Sequence, residues 1–540
     1  MGLAITKFQH DSVLAEKTFQ TATPSSAGWQ PAIVLLLLLM AFVFLQCFLP
    51  LRTTIQIGGD EGFALAKATL YLNGYKLYSE VWNDQPPLHT FIISGVLKLL
   101  PSSILGPRLL TSIFTAILLA SIFFIIVRVS GLLVASLTTG LLIASPGFVD
   151  LSSSCMVEIP ALAPAITALC LLIVVRHARW PITEIAAGIL FGVALQIKFN
   201  AAVYLLLAGL ILRLHVREAV CRVALRSRLV RREKNVADGR TKASSPSIRF
   251  SLGKRIARSV LLFAASMVVA FVAVGCVVGE SGYLLQFKQA WSAHVASVKS
   301  FEYGSPNDYP FDWSVLLKNW DTSLPAILGA ILSVRQARKT PLAILPLAWL
   351  ALSLIVFASH KPWWPYYYIH TAIPLCWCAA IGVGAAWKNA KAKRTPALVA
   401  LLAVYALCAG AWMVSRMYLQ IATIRHSPQT YSSLVLKQID RMKPFTKFIY
   451  TDEPIYSFHA GIPMPPNLAV ISLKRLWSGD LTKARIAAEF AEVKPELILL
   501  KSTTNDTPIN DLIAAEYRLI YEDASHRLYA RKSVSKNAGL

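Results

Sequence analysis

Residues 31–50 read PAIVLLLLLMAFVFLQCFLP, an apolar run bounded by prolines and free of charged side chains. About 20 such residues are enough to cross the hydrocarbon core of a bilayer as a helix. A second run, Ser259–Val278, has the same character. The whole chain follows suit: of its 540 residues 55% are hydrophobic and 15% charged, with a mean hydropathy of +0.53. Soluble domains carry roughly 25% charge, so lipid must be part of this chain's solvent. A formal net charge of +24 raises the question of a nucleic-acid partner. The basic residues gather in short loops between apolar runs, which is how membrane proteins hold their orientation, and no single basic footprint remains for nucleic acid.

Charge sets the topology. The loop 215–258 carries over a dozen Lys and Arg, among them Arg222, Arg226, Arg228, Arg231 and Arg232, against three acids. It is expected inside, with Arg128, Arg176 and Arg179, Arg335 with Arg338 and Lys339, and the stretch Lys388–Arg394. Counting Leu88–Leu100 as a span would put that loop outside, and the stretch is short for a crossing. It is read as an interfacial helix. A polytopic α-helical membrane protein of about eleven spans results, near residues 32–50, 105–127, 131–149, 157–175, 183–197, 200–214, 259–279, 322–334, 341–358, 366–387 and 396–415. The first thirty residues form an inner tail without the basic n-region and cleavage site of a signal peptide. Residues 51–104, 150–158 and 280–321 are expected outside. Seven of the eight cysteines lie in or beside predicted spans and Cys155 sits in a short loop, so neither a disulfide framework nor a structural metal is indicated.

Beyond residue 415 the character changes. Residues 447–451, 468–472 and 496–501 read as strands, 482–493 as an amphipathic helix and 517–531 as a hairpin. Residues 416–540 are therefore expected to form a small extracytoplasmic α/β domain, following the transmembrane domain 31–415.

The chemistry-bearing residues concentrate on the outer side. Ile57-Gly-Gly-Asp-Glu-Gly62 follows the first span. Asp60 and Glu61 there could simply favour the positive end of a helix dipole, or the glycines could let a substrate approach the backbone. Asn83-Asp-Gln-Pro-Pro-Leu88, with Asp84, lies in the same segment, Arg108 opens the second span, Glu158 the fourth, and Lys198 sits in the next outer turn. Charges at membrane depth are costly and are usually kept for function or pairing. Asp60, Glu61, Arg108, Glu158 and Lys198, five at one level, point to a site. His360-Lys-Pro-Trp-Trp-Pro-Tyr-Tyr-Tyr-Ile-His370 reads either as an aromatic belt with a snorkelling Lys361 or as a sugar or phosphate contact through His360, Lys361, Tyr366 and Tyr367. His294, Lys299 and Glu302 could cover the site as a loop.

The chain resembles the GT-C glycosyltransferases of the protein O-mannosyltransferase and aminoarabinose-transferase type. The resemblance is carried by Gly59-Asp-Glu61 after the first span, Pro86-Pro-Leu88, Leu105-Gly106, Arg108-Leu109, Glu158 before a span, and Gly188 to Lys198. It covers residues 30–215 well and continues to 415 as a matching pattern of spans. It implies a sugar donor on a polyprenyl phosphate, cations such as Lys198, Arg108 and Lys67 to bind the phosphate, and a single carboxylate to take the acceptor's proton. Asp60 matches the family's catalytic aspartate, while Glu158 stands where some members carry Asp. Glu61 and Glu158 could orient the acceptor, or Asp60 and Glu158 could hold a divalent Mg²⁺ or Mn²⁺.

The function expected is an inverting transfer of a sugar from a polyprenyl phosphate to an acceptor hydroxyl on a protein, lipid or glycan. The setting expected is the outer face of a bacterial cytoplasmic membrane. A flippase for lipid-linked saccharides would need mid-span charges and internal repeats, and the sequence has neither. A polymerase or ligase using a diphosphate-linked oligosaccharide shares the chemistry and stays open.

Overall fold

The computed structural model describes residues 28–175, 181–214, 247–279, 282, 284–294, 303–393, 395–430, 432–504 and 508–537. The N-terminal tail, most of the basic loop, Arg176, Arg179, Lys299 and Glu302 lie outside the described residues, as does the side chain of His294.

The chain is a polytopic α-helical membrane protein. Helix α1 (Gln30–Cys47) leads into two short helices, α2 (Glu61–Leu72) and α3 (Leu88–Leu99). There follow α4 (Leu105–Ser130), α5 (Leu132–Ile143), the short α6 (Phe148–Ser153), α7 (Glu158–Val174), α8 (Ile182–Ile197), α9 (Phe199–Leu214) and α10 (Ser247–Gly279). The bundle closes with α11 (Trp320–Ala337), α12 (Leu345–Ser359), α13 (Tyr368–Lys393) and α14 (Pro396–Thr430). Six of these are long and apolar enough to cross a membrane, and α5, α7, α8 and α9 are shorter apolar helices. Each predicted span falls on a helix. α14 runs on to Thr430, past its expected end at residue 415.

Lipid gives helices little hydrophobic reason to associate, so close backbone approach and internal polar contacts must hold the bundle. Both are present. A Cβ on Gly329 of α11 would lie 1.8 Å from the Cys378 carbonyl oxygen of α13, and one on Gly382 would lie 2.1 Å from the Pro325 oxygen. Gly188 and Gly192 likewise bring α8 against α10, where an added Cβ would lie 2.3 Å from the Phe263 oxygen and 2.6 Å from the Met267 oxygen. Where α14 passes its expected end, Arg416 ties it to the bundle: its Nη2 donates to Asp321 Oδ2 at 3.1 Å and to the Ala144 oxygen at 2.9 Å. Its Nη1 donates to Asn319 at 2.6 Å. Such a desolvated pair is costly to break from one side, by about 3–5 kcal/mol.

After α14 come α15 (Ser433–Met442), β1 (Ile449–Thr451), α16 (Pro454–Ala460), α17 (Leu473–Trp477), α18 (Lys483–Val493), β2 (Leu497–Lys501), β3 (Tyr517–Glu522) and β4 (His526–Arg531). The strands form one sheet in the order β1-β2-β4-β3, with β1 and β2 parallel and the other pairs antiparallel. The strand expected at 468–472 is absent. Pro463, Pro465 and Pro466 supply no N–H for a ladder, a 3₁₀ turn occupies Pro466–Leu468, and Ser472 caps α17.

Side chains alternate across the sheet, and the two faces have different neighbours. One face carries Tyr450, Ile498 and Leu500 against Ile486 and Phe490 of α18. The other carries Ile449, Leu497, Leu499 and Leu528 into a core shared with Ile55, Leu65, Ile93, Leu97 and Ile104 of the 51–104 segment. A Cβ on Gly62 would sit 2.7 Å from the Ile455 nitrogen, so only glycine lets α2 and α16 meet as they do. The C-terminal domain is thus built onto the 51–104 segment through a common core.

Candidate active site

The loop after α1 is pinned by a buried ion pair. Arg108 at the start of α4 donates from Nε to Glu61 Oε1 at 2.9 Å and from Nη2 to Glu61 Oε2 at 2.8 Å. Its Nη1 donates to the Leu51 and Thr54 oxygens at 2.7 and 2.8 Å. Glu61 in turn accepts from the Ile57 N–H at 2.9 Å and the Cys155 N–H at 3.0 Å. Both side chains are fully buried. This bidentate arrangement binds three segments together: the 51–61 loop, the start of α4, and the loop before α7.

Asp60, one residue earlier, is thereby turned the other way. It precedes α2 but makes no side-chain cap hydrogen bond, and its carboxylate accepts none among the described residues. It faces a cavity of about 760 Å³, within the ordinary size range for small-molecule sites. The walls come from the 57–67 and 84–90 segments, residues 146–157, Lys198, the 312–315 and 363–368 segments, and residues 470–474 of the C-terminal domain.

Three lysines line the cavity: Lys67, Lys198 and Lys474. Lys67 donates to Asn83 Oδ1 at 2.9 Å, which leaves further N–H donors for a ligand. Lys198 pairs with Glu158 and lies 5.2 Å from the ring centroids of both Tyr366 and Tyr367. Lys474 sits 3.9 Å from Asp84. Asp60 is open to the cavity yet ringed by protein. That burial, and next the Glu158 carboxylate, hold its pKa above the usual carboxylate range, while Lys198 and Lys474 draw it partly back. Burial lowers the Lys67 ammonium, with Asp84 and Asp60 opposing. Asp150 also lines the cavity, and burial alone lifts it to about 6.

The expected residues therefore separate into two groups. Asp60, Lys67, Asp84, Lys198 and Tyr366 line one cavity. Arg108 and Glu61 do not: their donors and acceptors are spent on each other and on backbone, so neither offers a phosphate ligand or a free base. They are the fasteners of the loop. Glu158 stands behind Lys198, one oxygen taken by the lysine and Oε2 buried without a hydrogen-bond partner. Tyr367 is buried beneath Lys198. His360 and Lys361 lie outside the lining, and Lys361 reaches Asn307 at 3.4 Å instead. Lys474, His89 and Asp150 are lining residues the sequence did not single out.

The donor set does not fit a metal by itself. Among the described residues no three His, Cys, Asp or Glu side chains converge, and of the pair Asp60 and Glu158 the second already holds a lysine.

Comparison with known proteins shows the fold. The crystal structure of ArnT from Cupriavidus metallidurans bound to undecaprenyl phosphate matches with a TM-score of 0.58 at 14% identity, over 94% of this chain and 99% of that one. This is the GT-C glycosyltransferase fold. The apo form of the same ArnT matches at 0.57. The Archaeoglobus fulgidus oligosaccharyltransferase tethered with an acceptor peptide matches at 0.51 and 12% identity, over 88% of this chain and 69% of that one. A family model described as dolichyl-phosphate-mannose-protein mannosyltransferase matches residues 84–228, which takes in Arg108, Glu158 and Lys198. No curated protein sequence matches the chain. The resemblance in the motifs and the fold agree on the GT-C class.

Proposed function

We propose that the chain is an inverting glycosyltransferase, moving a sugar from a polyprenyl-phosphate carrier to an acceptor hydroxyl at the outer face of a bacterial cytoplasmic membrane. The observation that carries this reading is the convergence in one cavity of the unbonded carboxylate of Asp60 with the cations Lys67, Lys198 and Lys474. That the ArnT structure holds undecaprenyl phosphate supports the carrier class.

The leaving group decides which residues the reaction needs. A phosphate leaves without a proton, unlike the alkoxide of a glycoside, so no second carboxylate has to act as an acid. The acceptor oxygen attacks the anomeric carbon from the face opposite the phosphate, and its proton passes to Asp60. The bond from that carbon to the phosphate oxygen breaks with its electron pair remaining on the phosphate. Lys67 and Lys198 hold the phosphate and meet the charge that grows on it, the term that usually contributes most. One displacement inverts the centre. Asp150 is the other unbonded carboxylate in the cavity, but burial accounts for its whole shift and no cation stands beside it.

The test is a panel of polyprenyl-phosphate sugars offered to purified protein, with carrier release and transfer followed by mass spectrometry. Asp60→Asn is expected to lower turnover about 10²–10⁴-fold, the range for loss of a general base, in protein that still folds and inserts. Full turnover in that variant would remove Asp60 as the base. A diphosphate-linked oligosaccharide in the same panel separates this reading from the polymerase or ligase alternative.

A further inference from the structure

We propose that Lys474 completes the phosphate subsite, so that the C-terminal domain itself holds the carrier phosphate of the donor. The inference rests on the donor class argued above and concerns which part of the chain grips it. Lys474 enters the cavity from α17, far in sequence from every motif in the transmembrane domain, and lines it with Lys67 and Lys198. Its influence reaches Asp60, the proposed base.

The mount is rigid. Ser472 caps α17 by accepting from the Arg475 N–H at 3.3 Å. The Arg475 guanidinium is tied to Asp480 at 2.9 Å and to the Asn467 and Val470 oxygens at 2.7 and 3.1 Å. It also lies 5.5 Å from the ring centroid of Trp82. Trp477 donates to the Tyr303 oxygen at 3.1 Å. Arg475 and Trp477 thus anchor the turn to the loops beneath, and Lys474 projects between them toward the cavity.

The pair with Asp84 is a resting arrangement. At 3.9 Å it is a charge contact longer than a hydrogen bond, and both side chains are largely withdrawn from water, 12% and 15% exposed. A phosphate monoester at neutral pH carries about −1.5 to −2 charges. The donor's diester phosphate gains that second charge as the sugar bond breaks. The Lys474 ammonium is therefore drawn more strongly to the phosphate as the reaction proceeds, which favours the transition state over the bound donor.

The experiment measures binding of undecaprenyl phosphate and of undecaprenol, the same chain without the phosphate, to full-length protein by native mass spectrometry. The unaltered protein should prefer the phosphate. Lys474→Gln should weaken phosphate binding about tenfold or more and leave the alcohol unchanged, with Lys474→Arg restoring most of the preference. Asp84→Asn breaks the same pair while sparing the lysine's charge, and should tighten phosphate binding. If Lys474→Gln binds the phosphate as the unaltered protein does, or if the two variants weaken both ligands alike, the lysine only fastens the domain and the proposal falls. If the unaltered protein shows no preference for the phosphate, the donor class itself is wrong, and the subsite falls with it.

Discussion

Asp60 is a carboxylate with its pKa raised by burial and by Glu158, and two consequences have opposite readouts. As a base it must be ionised, so kcat/KM should fall as pH drops through a value above the ordinary carboxylate pKa of about 3.9. That limb should persist in Asp150→Asn, although burial lifts Asp150 to about 6. For stability the sign reverses: the folded chain holds the Asp60 proton to higher pH than the unfolded chain. Stability is therefore lost as pH rises between the two pKa values. Asp60→Asn should accordingly keep or raise Tm while turnover collapses. Arg108→Met is the contrasting case. It leaves Glu61 buried without its cation, a loss of about 3–5 kcal/mol, visible as less folded protein in thermal scans, with donor dependence unchanged in what survives. Asp60 was legible because glycines flank it beside a span. Arg108 was legible as a charge at membrane depth, but its partner was not, because the pairing depends on how the 51–61 loop folds back over α4. Lys474 carried no local signal at all.

The helices were the most legible elements, since runs of apolar residues between basic loops specify them with no tertiary information. What composition does not convey is how tightly they pack. The α11–α13 seam rests on Gly329 and Gly382, where an added Cβ would meet backbone oxygen of the facing helix. Backbone cannot move aside as a flexible side chain does. Gly329→Val is therefore expected to cost at least the roughly 1–3 kcal/mol typical of an overpacked core, lowering the aggregation temperature in detergent. The same change at Gly140, which has open space around it, should be far milder. The short C-terminal strands were partly legible. The strands at 447–451 and 496–501 and the closing hairpin have the aliphatic and aromatic content that the sheet uses. The 468–472 segment shares that content but follows prolines that cannot join a ladder, and cap chemistry at Ser472 won.

At the scale of the molecule, orientation follows from charge, and reporter fusions test it: a fusion after Arg232 should report inside and one after Lys447 outside. Opposite reports would put the cavity on the wrong face for the proposed reaction. The docking of the C-terminal domain could not be read from sequence, because its apolar face is complementary to a segment some 400 residues earlier only once both have folded. That shared core has a practical consequence for anyone wishing to trim the chain. Stopping the chain after α14 would not yield a smaller protein with a simpler surface. It would leave Ile55, Leu65, Ile93 and Leu97 bare to water, and the shortened protein should clump before it could be assayed. Exchanging this region between relatives faces the same barrier: a donor segment must bring its own matching 51–104 segment with it, or the two halves will not mate.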